Sequence, residues 1–329
     1  MLAIIAPGQG SQTPGMLNTW IENPELKALI ESWSQAIDLD LLHLGTTADA
    51  DEIKDTANAQ PLIVATSLLG AHALGLTNFA VTSGHSVGEL AAAALSGAIS
   101  SSDALSLVRS RGVEMAKAAA ASPAGMSAVL GGDRNEVLAA IAALNLVAAN
   151  DNGAGQIVAA GDLSALAQLS ENPPASARVR ALAVAGAFHT SYMQPAVARM
   201  KSLSSSVTVH DPRTRVISNR DGAVVHSGRA LLDRMIDQIA NPVRWDLCME
   251  TLNELGVTAV IEMPPAGTLV GLIKRALPNV ETLALKTPDD IPAALDLIGR
   301  HGFASALDNQ PTWRMIVAPF AGYFSGAGI

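Results

Sequence analysis

Gly84-His85-Ser86-Val87-Gly88 joins an apolar segment, Phe79-Ala80-Val81, to an alanine-rich segment running from Val87 to Leu95. The order strand, sharp turn, helix lifts a serine off the end of a buried sheet. Glycines two residues either side let the backbone pass tightly beneath it, and the helix that begins there aims free N–H groups at the site. The stretch predicts a nucleophile elbow with Ser86 at its tip. A chain built around it needs a sheet to launch the serine and helices to cover that sheet.

At 329 residues the chain can bury a full core, as one large domain or one with a small insert. No run approaches the ~18 apolar residues that span a bilayer, so no membrane segment is expected. Met1 to Ala6 lacks a basic leader and reads as a first buried strand. The single cysteine, Cys248, rules out an internal disulfide framework and fits a reducing cytoplasm. None of the seven histidines is spaced with cysteine as a metal ligand set, so no metal is expected.

The net charge of −9 is unevenly spread. Residues 1–177 hold 6 basic against 17 acidic side chains, residues 178–286 hold 13 against 9, and residues 287–329 hold 2 against 4. One locally basic section on an acidic chain could steer an acidic partner to one face, or be ordinary solvated charge. Nucleic acid would ask for a more basic chain.

After the first strand, Pro7-Gly8-Gln9-Gly10-Ser11-Gln12 is a glycine-rich loop without the lysine of a phosphate loop. Pro24 to Ile37 reads as a helix capped by Asn23, and about Gln60 to Leu74 as a helix apolar on nearly all sides. Another helix opens at Ser100-Ser101-Ser102-Asp103 and runs to about Ala119. At about 100° per residue, Leu107, Ala104, Met115, Val108, Gly112 and Leu105 share one arc of it. Arg111 falls inside that arc and Arg109 outside. A guanidinium on the inward face needs an anion, because an unpaired buried charge costs on the order of several kcal/mol. Either an internal carboxylate or the carboxylate of a substrate would serve.

From Gly125 the pattern changes. Met126 to Leu130, Leu146 to Ala149, Gln156 to Ala160 and Val179 to Ala185 read as strands, with helices at Arg134 to Leu144 and Asp162 to Leu169. This is βαββαβ, a ferredoxin-like unit set into a larger α/β one. Its last strand delivers Gly186-Ala187-Phe188-His189. A histidine there is structural or catalytic, and its position where the insert returns to the core favours a cleft. Downstream, Val216 to Asn219 and Ala223 to Val225 form a hairpin around Asp221-Gly222. Helices are expected at about Ala230 to Ala240, Asp246 to Leu255, Thr268 to Leu277 and up to His301, with strands at Val257 to Glu262 and Thr282 to Leu285. The final stretch, Phe303 to Ile329, is too short for a domain; Ile316-Val317-Ala318 makes one strand at most.

Taken in order, the Pro7 to Gln12 loop, Gln60-Pro61, Gly84 to Glu89, Arg111-Gly112, Asn152 with Gly155-Gln156, Phe188-His189 and Asn241-Pro242-Val243 resemble the malonyl-CoA:acyl carrier protein transacylases. The resemblance spans residues 1 to about 302. It implies an α/β fold: a large α/β-hydrolase-like subdomain with a parallel sheet core (residues 1–124 and 190–302), an inserted ferredoxin-like subdomain (125–189) and a C-terminal extension (303–329).

It also implies roles. Ser86 is the nucleophile and His189 its general base. The backbone N–H groups of Gln9 and Val87 form the oxyanion hole. Arg111 grips the free carboxylate of malonate, Gln60 and Asn152 line the site, and Phe188 narrows the acyl pocket. The carbonyl of Arg244, where relatives often carry glutamine, is expected to orient His189. Malonyl-CoA and acyl carrier protein are the implied partners, the latter acidic and fitted to a surface containing Arg178, Arg180, Arg213, Arg215, Lys274 and Arg275. No cofactor is implied beyond the substrates' own coenzyme A and phosphopantetheine.

Two other classes share some of these features. A serine hydrolase normally adds a carboxylate between serine and histidine in chain order, where Asp103, Asp133, Asp151 and Asp162 lie. A non-catalytic carrier-binding module would have no use for a nucleophile, a base and an anion-binding arginine together.

Overall fold

A computed structural model describes residues 1–302; the extension and its expected strand lie outside the described residues. Eleven strands are described: β1 (Leu2–Ala6), β2 (Val81–Gly84), β3 (Ala124–Gly131), β4 (Val147–Asp151), β5 (Gln156–Asp162), β6 (Ala177–Ala181), β7 (Arg215–Ile217), β8 (Val224–Val225), β9 (Val243–Arg244), β10 (Ala259–Glu262) and β11 (Glu281–Ala284). They form one sheet in the order β11-β10-β1-β2-β7-β8 and a second in the order β6-β3-β5-β4-β9.

The first sheet is parallel apart from β8, which returns antiparallel beside β7. Its centre is β1, every residue of which is buried. A central parallel strand has both faces covered and so reads as an unbroken apolar run. Leu2, Ile4 and Ala6 point into one core cluster, Ala3 and Ile5 into another. The helix Thr56–Ala73, capped by Asp55, is buried along most of its length, which is why its sequence shows no polar face. Helices Leu41–Thr46 and Gln194–Ser204 were not foreseen from the pattern.

Parallel register puts the strand ends that matter side by side. Ala6 pairs with Gly84, Ile5 with Glu262, and Ser83 with Ile217. The Pro7 loop, the elbow and Ser218-Asn219 therefore leave the sheet at the same carboxyl edge, where open α/β sheets hold their ligands.

The second sheet follows the expected βαββαβ order, with β3 antiparallel to both β5 and β6 and β4 antiparallel to β5. Val129, Ile157 and Ala159 pack with Val137, Ile141, Leu166 and Leu169 into a small core of their own. The last strand is shorter than expected, ending at Ala181. More consequentially, the sheet is not made from residues 125–189 alone. β9 joins it, with Asn150 paired to Val243 and Asp151 to Arg244.

Candidate active site

Ser86 sits at φ +52°, in the left-handed region that a residue with a side chain adopts only when its surroundings enforce it. The glycines around it are there for closeness. A Cβ on Gly84 would lie 2.0 Å from the Gly88 carbonyl carbon, and one on Gly88 would lie 2.3 Å from the Ala6 oxygen. The elbow thus wedges between β1 and the helix Gly88–Leu95.

The Ser86 hydroxyl is 2.7 Å from His189 Nε2. His189, itself at φ +61° and 3% exposed, donates from Nδ1 to the main-chain carbonyl of Gln238 at 2.8 Å. A carbonyl can only accept, so the proton of the neutral ring sits on Nδ1 and Nε2 is left to accept from the serine. Burial first, then the nearby Arg111 charge, lowers the His189 pKa to about 3, against the raising effect of the Gln238 bond. The ring is a neutral base at ordinary pH.

The orienting carbonyl is therefore Gln238, not Arg244 as the motif suggested. Arg244 is held in β9, where its N–H donates to the Asn219 carbonyl at 2.7 Å and its guanidinium forks onto Asp246 at 2.7 and 2.9 Å. Strand pairing with Asp151 fixes it in the second sheet. The resemblance placed that carbonyl three residues beyond Asn241; it comes from three residues before it.

Arg111 is 3% exposed on the inward face of helix Ser101–Ala120, as its arc required. Arg109, outside that arc, is half-buried and donates to the Ala57 carbonyl at 3.1 Å. The Arg111 guanidinium donates to Gln60 Oε1 at 2.7 Å and Gln238 Oε1 at 3.0 Å, and reaches Ser86 Oγ at 3.4 Å. Burial lowers its pKa to about 10, with the Glu89 carboxylate opposing the shift. Its five N–H donors are not exhausted by these neutral oxygens.

Behind the serine lies a hydrogen-bond network that sequence reasoning missed. Glu89, buried, accepts from the Asn219 N–H and from the Gln238 side chain. Asn219 Oδ1 in turn accepts the Ser86 N–H at 2.7 Å and Gln238 Nε2 at 3.1 Å. The Ser86 amide is thereby spoken for. The N–H groups of Gln9 and Val87 have no protein acceptor among the described residues.

Gln60 donates to Gln9 Oε1 at 3.3 Å, and Gln9 donates to Thr56 Oγ1 at 3.2 Å. Asn152 accepts from His85 Nε2 at 2.8 Å and donates to Gln156 Oε1 at 3.3 Å. Gln9, Gln60, Ser86, Asn152, Phe188 and His189 all line one cleft of about 240 Å³ between the two sheets. On the far side of Ser86 a void of about 10 Å³ is bounded by Arg111, Gln238, Met200, Leu232 and Met235. Met200, Leu232 and Met235 had no motif to announce them.

The aspartates that a hydrolase would recruit are elsewhere. Asp133 and Asp162 cap helices, Asp103 sits in the first turn of helix Ser101–Ala120 and accepts from the Ser100 hydroxyl at 2.7 Å, and Asp151 pairs with Arg134 at 2.7 Å. None meets the histidine, whose Nδ1 is on Gln238.

The basic candidates divide. Arg180 pairs with Ala128 and Arg178 with Leu130, so both exposed side chains share the face whose Met126 and Ala128 line the cleft. Arg215 pairs with Val81 at the opposite end of the parallel strands from the elbow, and Arg213 lies beyond it. These two do not belong to the cleft mouth.

The acyl transferase domain family matches residues 4–292 of this chain. The malonyl CoA-acyl carrier protein transacylase of Mycobacterium tuberculosis is 52% identical over 302 residues, covering 90% of this chain and all of that one. The crystal structure of MCAT from the same organism superposes with a TM-score of 0.86 at 52% identity, covering 89% of this chain and 98% of that one. A malonyl-transacylase solved in complex with its type II PKS acyl-carrier protein gives a TM-score of 0.84 at 27% identity, over 90% and 99% of the two chains. With a paired serine and histidine beside a buried arginine on the same framework, the chain belongs to the acyl transferase family, among the malonyl CoA-acyl carrier protein transacylases.

Proposed function

We propose that the protein transfers malonyl from malonyl-CoA to the phosphopantetheine thiol of an acyl carrier protein through a malonyl-serine, supplying fatty acid or polyketide synthesis in the cytoplasm. The observation that carries this reading is the buried Arg111 guanidinium 3.4 Å from the Ser86 hydroxyl, which in turn is 2.7 Å from a neutral His189. A hydrolase or an acetyl carrier has no need of a cation at that point.

In the first half, Ser86 Oγ attacks the thioester carbonyl while its proton passes to His189 Nε2. The tetrahedral oxyanion is met by the free N–H groups of Gln9 and Val87, a kind of contact worth about 10²–10³ in rate per donor. As the carbonyl re-forms, the C–S bond breaks and His189 returns the proton to the coenzyme A sulfur. In the second half the carrier's thiol gives its proton to His189 and attacks the malonyl ester; the ester C–O bond breaks and His189 returns the proton to Ser86 Oγ. Arg111 holds the malonyl carboxylate throughout. The exposed Arg178 and Arg180 on the cleft face suit an acidic carrier.

Initial rates with both substrates varied test this. Parallel double-reciprocal lines are expected from a covalent intermediate; converging lines would mean direct transfer in a ternary complex and would remove the malonyl-serine.

A further inference from the structure

The pairing of β2 with β7 ends at Ser83 opposite Ile217. Had it run on, His85 would stand opposite Asn219. In a parallel pair the carbonyl and the N–H that flank one residue bond to the backbone of the residue facing it. β2 instead turns into the elbow, so the Gly84 carbonyl and the Ser86 N–H, which flank His85, need another partner. Buried backbone groups left without one cost about as much as a lost hydrogen bond.

Asn219 serves both, with its side chain in place of its backbone. Nδ2 donates to the Gly84 carbonyl at 2.7 Å, and Oδ1 accepts from the Ser86 N–H at 2.7 Å. A primary amide carries a donor and an acceptor side by side, as a peptide group does, and so completes the ladder where the main chain has turned away. The Asn219 backbone is fixed in its own right: its N–H donates to Glu89 at 2.6 Å, and its carbonyl accepts from the Arg244 N–H at 2.7 Å. With 0% exposure, Asn219 cannot touch a substrate.

The consequence falls on the nucleophile. Ser86 at φ +52° keeps that conformation only while its surroundings over-determine it. Its hydroxyl then meets His189 Nε2 at 2.7 Å, and the N–H of the next residue, Val87, has no protein acceptor among the described residues.

We propose that Asn219 is a positioning residue for the nucleophile, its amide stapling Gly84 to Ser86 so that the hydroxyl stays on His189 and the Val87 N–H stays on the oxyanion. This rests on the functional reading above, in which Ser86 carries the acyl group. The staple needs an amide. A carboxylate there could accept from Ser86, but would set a second acceptor against the Gly84 carbonyl, next to Glu89.

The test compares the parent with Asn219→Ala, and with Asn219→Ser, whose hydroxyl is too short to bridge both backbone groups. Rates are taken per folded molecule, with folding followed by circular dichroism. Methanesulfonyl fluoride reports on Ser86 without involving Arg111, since it has no carboxylate. Its rate of labelling Ser86, and kcat/KM for malonyl-CoA, are both expected to fall about 100-fold, the scale on which a small misplacement of a reacting atom acts, while the ratio of malonyl to acetyl transfer stays within about threefold of the parent's. Unchanged labelling in both variants, or a malonyl preference lost along with the rate, would overturn the assignment and leave the transferase reading intact. A parent that takes neither the sulfonyl label nor malonyl on Ser86 would overturn both.

Discussion

The main-chain carbonyl of Gln238 accepts the Nδ1 proton of His189 at 2.8 Å, while the side chain of the same residue accepts from Arg111 at 3.0 Å. One residue therefore sets the tautomer of His189 through its backbone and the position of the Arg111 guanidinium through its amide. The two functions separate on substitution. Gln238→Ala keeps the carbonyl and loses the amide. We expect kcat/KM for malonyl-CoA to fall about 10- to 100-fold, the cost of leaving buried charged groups short of partners, with the acid limb of the pH profile retained. An intact malonyl rate would show that Arg111 needs no such support.

Arg111→Ala should reverse acyl preference. The ratio of malonyl to acetyl transfer is expected to drop about 100-fold or more, because the malonyl carboxylate would enter a buried site with no cation to meet it. The substitution also removes the second cause of the low His189 pKa. Base catalysis in the parent should persist well below pH 6.5, and with acetyl-CoA as donor the acid limb of the variant should lie at higher pH. Superimposable limbs would mean that burial alone governs the ring.

Phe188, buried in the cleft wall next to the base, is expected to limit branching at the acyl α-carbon. Phe188→Ser should raise methylmalonyl turnover relative to malonyl by about tenfold, the scale on which one methylene is discriminated in an apolar pocket. Competition between the two thioesters measures it directly, and no gain would remove Phe188 from the selectivity account.

Much of this was legible before the fold. Ser86 was marked by glycines spaced around it between strand and helix, and Arg111 by a charge inside an apolar arc. His189 was marked only by where the insert ends. Gln238 left no such trace, because a main-chain carbonyl acts whatever side chain it bears, and motif matching displaced its role to Arg244. β9 was invisible because a strand of two residues, Val243–Arg244, has no periodicity to read. Glu89 sat in plain view beside the elbow, yet nothing in the sequence brought Asn219 and Gln238 to it. Those contacts depend on the register of β7 beside β2 and on the turn after helix Gly228–Asp237.

Glu89 and His189 should oppose each other in the dependence of stability on pH. Burial raises the Glu89 pKa from 4.5 to about 7, against the lowering effect of the Asn219 N–H and Arg111. Its contribution to stability is full below pH 4.5 and is lost as pH rises through about 7. The His189 contribution is full above 6.5 and is lost as pH falls towards about 3. Glu89→Gln removes only the first, so its stability in denaturant should climb more steeply than the parent's from pH 4.5 to 7. Parallel curves would mean that Glu89 ionises as freely in the folded protein as in the unfolded one.

Intact mass after brief mixing with malonyl-CoA tests the central claim most directly. The parent should gain one malonyl group, lose it on addition of carrier protein bearing a phosphopantetheine thiol, and gain little from acetyl-CoA, while Ser86→Ala gains nothing. Free malonate without a persistent adduct would make the protein a hydrolase, and an adduct on Ser86→Ala would place the nucleophile elsewhere.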